Sequence, residues 1–201
     1  MSQDPLSSGT GRHGLRTILV VDDSRTNLNV IGARVGKAGY LMVLCDNGRE
    51  AIDLIAGRGF DLVLLDMMMP GMSGIEVLAE LRAGPRTADL PVIMITARSD
   101  SGAAVEALAA GADDYVPKPF DFDVLLARIE RTLARASRVA ELKRALAALD
   151  ARVAARAIEL GEARTELAVT RADRARLVSS IQSLNAQVER LRDHPGQPQW
   201  P

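Results

Sequence analysis

The chain has 201 residues, 47% hydrophobic and 3% aromatic, with 25 basic and 26 acidic side chains and a formal net charge of −1. That length holds one domain of about 120 residues plus a further element. No run of about 18 apolar residues is present, which excludes a transmembrane helix; the near-neutral charge carries no polyanion-binding signature; and a single cysteine, Cys45, excludes an internal disulfide and a cysteine metal cluster.

The first 15 residues are polar and rich in glycine and serine, without the apolar stretch of a secretory signal. Residues 1–15 are therefore expected to be a disordered leader, and cytoplasm is the default location. From Thr17 to about Arg131, short apolar runs alternate with helical patterns. Strands are predicted at Ile18–Val21, Leu41–Leu44, Leu62–Leu65, Val92–Ile95 and Tyr115–Val116. Helices are predicted at about Arg25–Ala38, Arg49–Ala56, Gly74–Ala83 and Ala103–Ala110, and another begins after Phe120. Ser24, Ser73 and Asp121 are good N-cap types, and Gly39 and Gly111 stand where helices should end. Five repeats of strand then helix define a doubly wound α/β domain with a five-stranded parallel sheet over residues 16–135. Cys45 lies in an apolar run and reads as a buried, inert thiol.

After about Arg135 the composition changes. Glycine nearly vanishes, proline is absent until Pro195, and Ala, Leu, Arg and Glu dominate. Split at residue 134, the first part carries 13 basic and 18 acidic residues, the rest 12 and 8. A 3,4 spacing runs through one seam set of Leu146, Val153, Leu160, Leu167, Arg174, Ile181 and Val188. The other set is Leu142, Leu149, Arg156, Ala163, Thr170, Leu177, Leu184 and Leu191. Twelve of these fifteen positions are apolar, over more heptads than the three or four a coiled coil requires. Residues 136–193 are expected to form a coiled-coil helix, its seam of about 50 residues making a rod of roughly 75 Å at 1.5 Å per residue, continuous with the last helix of the domain and paired as a parallel homodimer. The residue types leave strand number and orientation open. Arg156, Thr170 and Arg174 weaken the seam, and Gly161 costs about 1 kcal/mol relative to Ala in a helix. They read as local tolerance, with arginine stems turned outward, or as a register or partner device. Residues 194–201 read as a flexible tail; Trp200 in it is an ordinary terminal residue or a docking residue.

The chemistry concentrates at strand ends. Asp22-Asp23 and Asp66 each end an apolar run, and Thr96 ends another. Asp66 follows Asp22 by 44 residues, Thr96 lies 30 beyond it, and Lys118 a further 22 on. In a parallel sheet these ends share one edge. Three carboxylates, a hydroxyl and an ammonium there suit a divalent cation and a phosphoryl group. A carboxylate is a competent nucleophile toward phosphorus. Neighbouring carboxylates raise its pKa unless a cation compensates, and hard oxygen donors favour Mg²⁺.

The segments Ile18-Leu-Val-Val-Asp22-Asp23-Ser24, Phe60-Asp-Leu-Val-Leu-Leu-Asp66-Met-Met-Met-Pro70-Gly-Met-Ser-Gly74, Pro91-Val-Ile-Met-Ile-Thr96-Ala97 and Gly111-Ala-Asp-Asp-Tyr115-Val-Pro-Lys118-Pro119-Phe120 resemble the receiver domain of two-component response regulators. The resemblance covers about residues 15–135. It implies a flavodoxin-like fold in which Asp66 accepts a phosphoryl group from the phosphohistidine of a sensor kinase or phosphotransfer protein. Asp23, Asp66 and the Met68 carbonyl would bind Mg²⁺, with help from Asp22. Thr96, the Ala97 backbone and Lys118 would contact phosphoryl oxygens, and Tyr115 would be the switch aromatic. Pro119 matches a proline often preceded by a cis peptide. Met68 and Arg98 occupy positions the family varies to tune phosphoryl lifetime.

No enzymatic module is expected. His13 and His194 lie in Gly/Pro-rich ends, so the coil carries no phosphoacceptor histidine. No helix-turn-helix pattern follows the receiver, and scattered basic residues argue against nucleic acid. The expected function is a non-enzymatic response regulator with protein–protein output through a dimeric coil to an unnamed downstream protein. The alternatives are an adaptor pairing its coil with a kinase or effector enzyme, and a phosphate sink.

Overall fold

The computed structural model describes residues 15–97 and 101–193. The expectations about the leader, His13, Arg98, His194 and Trp200 lie outside those residues. The elements in chain order are β1 (Thr17–Val21), α1 (Arg25–Lys37), β2 (Leu41–Cys45), α2 (Gly48–Gly57), β3 (Leu62–Asp66), α3 (Gly74–Ala83), β4 (Val92–Ala97), α4 (Ser101–Ala109), β5 (Asp114–Lys118) and α5 (Phe122–Asp193).

The strands form one parallel sheet in the order β2-β1-β3-β4-β5. Successive strand side chains point to opposite faces, and the sheet uses that alternation to feed two cores. Leu19, Val21, Val63, Leu65, Val92 and Met94 pack on one side with Ala51 and Ile55 of α2, Val77, Leu78 and Leu81 of α3, and Ala103 and Ala107 of α4. Ile18, Val20, Leu62, Leu64, Ile93 and Ile95 pack on the other with Leu28, Ile31 and Val35 of α1 and Leu125, Ile129 and Leu133 of α5. The near-continuous apolar strands are those of a sheet covered on both faces.

Caps fall where side-chain chemistry places them. Ser24 accepts the Asn27 N–H, and Ser73 forms a reciprocal capping box with Glu76. Asp121 receives the Asp123 N–H at 2.8 Å. Asn47, which the periodicity did not single out, caps α2 by accepting the Glu50 N–H at 2.9 Å. Gly39 and Gly111 close α1 and α4 at φ +95° and +98°, a region that side chains with a Cβ disfavour.

Two strands depart from the sequence reading. β2 is an edge strand, so Leu41 and Leu44 remain partly exposed although their run is apolar. β5 runs from Asp114 to Lys118, beyond its two apolar residues, because backbone pairing with β4 continues through Lys118 opposite Ala97. Cys45 is buried, which raises its thiol pKa, and its Sγ donates to the Asn47 carbonyl.

The chain divides into two compact units that meet between Glu141 and Leu142, six residues after the expected boundary. In the first unit α5 packs on the sheet through Leu133. In the second its residues are helical to Asp193 and exposed on every side, including Leu146, Leu149, Val153, Leu160, Leu167, Leu177, Ile181, Leu184 and Val188. Among the described residues no helix is long and apolar enough to cross a membrane.

Candidate functional site

The chain after β1 turns toward β2 on one side of the sheet, whereas the chain after β3 turns toward β4 on the other. That divergence opens a crevice at the carboxyl ends of β1 and β3, the usual ligand position in an open α/β sheet. Asp22 and Asp23 follow β1 directly and Asp66 is the last residue of β3. Their carboxylates offer oxygens all within 4.8 Å of one another. Asp22 is fully buried, Asp66 is 7% exposed, and Asp23 faces solvent.

Lys118, at the end of β5, reaches into this cluster. Its Nζ donates to Asp22 Oδ2 at 2.7 Å and to Asp66 Oδ2 at 3.0 Å, across 96 and 52 residues of sequence. Asp22 is further held by the Ser24 N–H at 2.9 Å and by the Asn27 carboxamide at 3.0 and 3.1 Å. A buried carboxylate needs such partners, and Asn27 was missed in the sequence. Its signal is its place in the first turn of α1, five residues after Asp22.

The electrostatics follow from burial. Removal from water raises the pKa of the Asp66 carboxyl; the Lys118 hydrogen bond and charge oppose this, the Asp22 charge adds to it, and the Met68 backbone N–H opposes it. Burial pulls Lys118 down, but its hydrogen bonds to Asp22 and Asp66 outweigh that and leave it above its ordinary value. Three carboxylates against one ammonium leave a formal excess of two negative charges. Hard oxygen donors with that excess fit a divalent cation such as Mg²⁺.

The remaining predicted residues frame the same edge. Thr96 is buried one step beyond Ile95, which pairs with Asp66 in the ladder. Ala97 pairs with Lys118. Tyr115 is half-buried against the core on the α3–α4 side of the sheet. Met68 is 71% exposed beside Asp66, and the Lys118–Pro119 peptide is cis.

Two supports were not legible beforehand. A Cβ at Gly74 would collide with the Asp66 carbonyl oxygen, so α3 abuts the end of β3 only because residue 74 has no side chain. Asp114, buried at the start of β5, receives Arg128 at 2.8 and 2.9 Å and Arg131 at 2.8 Å, both from α5. This clasp ties the strand that bears Tyr115 and Lys118 to the last helix.

A doubly wound sheet with an acidic cluster and a lysine at its switch point defines a class, and comparison with known proteins gives the family. Residues 18–130 match the response regulator receiver domain model, and the chain belongs to that family. It is 46% identical over 118 residues to the response regulator MprA of Mycolicibacterium vanbaalenii, covering 59% of this chain and 50% of that protein. It is 40% identical over 120 residues to the phosphate regulon transcriptional regulatory protein PhoB of Pseudomonas aeruginosa, covering 60% and 52%. Among solved structures, a putative response regulator from Chloroflexus aurantiacus aligns at a TM-score of 0.59 and 33% identity, covering 60% of this chain and 99% of that one. The chain thus spans about half the length of the curated relatives it matches. The family match, residues 18–130, lies within the first unit.

Proposed function

We propose that Asp66 accepts a phosphoryl group from the phosphohistidine of a partner kinase or phosphotransfer protein, and that the C-terminal helix carries the output by pairing with a second copy of the chain. The observation that carries the first part is the convergence of Asp22, Asp23, Asp66 and Lys118 at the switch point. An oxygen of the Asp66 carboxylate attacks phosphorus, the P–N bond breaks, and its electron pair leaves on the imidazole nitrogen, which takes up a proton. The product is an acyl phosphate. Such transfer depends on positioning and charge neutralisation.

Asp22, Asp23, Asp66 and the Met68 carbonyl would hold Mg²⁺, which when bound neutralises charge on the transferring phosphoryl group. Lys118 exchanges its Asp66 contact for a phosphoryl oxygen as a point charge. The Thr96 hydroxyl and the Ala97 N–H donate to the others, and Thr96 moves together with Tyr115. The new charge on residue 66 biases β5, and the Asp114 clasp to Arg128 and Arg131 passes the bias to α5.

Support for the output comes from the second unit, whose exposed seam leucines and valines have no cover of their own. Soluble chains rarely leave so long an apolar stripe open. PhoB is by name a transcriptional regulator; this chain carries no helix-turn-helix pattern after residue 135. On this reading the protein is a non-enzymatic regulator that meets its kinase in the cytoplasm. The competing reading, pairing of the coil with a different protein, draws on Arg156 and Arg174 in the seam.

Phosphorylation is tested by mass spectrometry after incubation with Mg²⁺ and a small acyl phosphate donor. Wild type should gain one phosphoryl group and Asp66→Asn none; equal gain by both would remove Asp66 from its role. Sedimentation equilibrium with and without beryllofluoride then tests the output. A dimer that forms or tightens with the mimic means the receiver gates the coil, and a dimer in both states means the signal changes shape within a standing pair. A monomer in both states would refute self-pairing.

A further inference from the structure

The seam of the second unit says that it needs a partner, and the charges beside the seam say which one. We propose that residues 159–171 form a charge code that sets a second copy of this chain parallel and in exact heptad register. This rests on the self-pairing reading above and adds to it the orientation, the register and the residues that decide them.

The heptad phase can be read directly. Leu146, Val153, Leu160, Leu167, Arg174, Ile181 and Val188 recur every seven residues, each three ahead of Leu149, Arg156, Ala163, Thr170, Leu177, Leu184 and Leu191. The first set therefore occupies a and the second d. The aliphatic β-branched residues Val153, Ile181 and Val188 fall on a beside Leu146, Leu160 and Leu167, the β-branched Thr170 falls on d, and every large aliphatic residue on d is leucine. Branched residues on a with leucine on d suit a parallel two-stranded coil, but the three leucines on a leave the choice to the charges beside the seam.

Position g then holds Glu159 and Glu166, and position e holds Arg164 and Arg171. In a parallel pair in register, a g residue meets the e residue five places on in the other chain. Glu159 meets Arg164 of the second copy and Glu166 meets its Arg171, and the two-fold axis repeats both contacts. Such e/g ion pairs set partner choice and orientation. A slip of one heptad keeps one of the two pairings and loses the other. An antiparallel arrangement of this segment sets glutamate against glutamate and arginine against arginine. Toward the receiver the matching lapses, because Arg138 and Lys143 would be like-charged partners.

The coded segment coincides with the weakest stretch of the seam. Arg156, Ala163 and Thr170 are successive d residues, and Arg174 is the next polar a residue. Where apolar contact is least, charge has most say in the alignment. The helix already accommodates these polar groups. Arg156 is drawn to Glu159 Oε2 at 2.6 Å within its own helix, which leaves Glu159 Oε1 for Arg164 of the second copy. The Thr170 hydroxyl donates to its own Glu166 carbonyl at 3.0 Å.

The test uses the full chain and two charge-reversal variants, E159R/E166R and R164E/R171E, in sedimentation equilibrium at low salt. Each alone should associate roughly ten-fold more weakly than wild type, or worse, because all four contacts become like-charged. An equimolar mixture should regain wild-type affinity as a mixed dimer, which a tag on one variant would capture. Recovery in the mixture separates loss of the code from loss of folding. Wild-type dimers whose two variants pair as tightly as the parent, or whose mixture stays dissociated, would overturn the code and leave self-pairing standing. A monomeric wild type would overturn both. Orientation is read independently by oxidising C45A/L184C: an interchain disulfide is expected, and a dimer that does not cross-link overturns the parallel arrangement.

Discussion

The two units use the same aliphatic residues to opposite effect. In the receiver, Leu19, Leu62, Leu64 and Leu65 are 0% exposed because strand alternation and flanking helices close over them. In the second unit, Leu142 at 71% to Leu167 at 50% stand open along one helix. A sheet layered between helices can bury both of its faces within one chain, whereas a single helix has nothing of its own to lay on its seam. The lesson is that apolar residues report a need for cover; whether the chain itself meets it depends on what the topology brings alongside.

Leucine truncations should therefore behave differently in the two units. Leu64→Ala should destabilise the receiver by about 2–5 kcal/mol, seen as a lower melting temperature at every protein concentration. Leu177→Ala with Leu184→Ala should leave the receiver melting and phosphorylation unchanged while sedimentation reports a monomer. A dimer in the double variant would break the comparison, since the rod would not be the interface.

Gly74→Ala probes the junction that holds Asp66 in place. The added methyl must push α3 away from the Asp66 carbonyl, an overpacking that costs about 1–3 kcal/mol. Phosphoryl uptake at Asp66 should fall as well, because the displaced backbone carries the acceptor. Association through the second unit should not change.

The smallest expected effect concerns charge. The folded Asp66 carboxyl binds its proton more readily than in the unfolded chain, so burying it ionised opposes folding above its folded pKa, and that opposition fades as pH falls through this value. In metal-free buffer Asp66→Asn should thus melt slightly higher than wild type at pH 7, and the gap should close toward acid. Added Mg²⁺ should stabilise wild type through binding to the native state and stabilise Asp66→Asn less. Equal Mg²⁺ responses would separate the cation from this cluster.

The sequence by itself determined the alternation of strands and helices, the caps at Ser24 and Ser73, the glycine closures, the positions of Asp22, Asp23, Asp66, Thr96 and Lys118, and the helical character of the second unit. These are written in local periodicity and in residue types at element ends, which neighbouring residues suffice to decode. Only the tertiary structure decided that Lys118 bridges Asp22 and Asp66, that Asn27 secures Asp22, that Gly74 lets α3 close on β3, that Asp114 clasps α5, and that β2 lies at an edge with Leu41 half open. The Lys118 bridge and the edge place of β2 depend on segments far apart in sequence and exist only once the order of strands has set which ends lie side by side, whereas the nearer contacts depend on side-chain directions that residue types alone do not give.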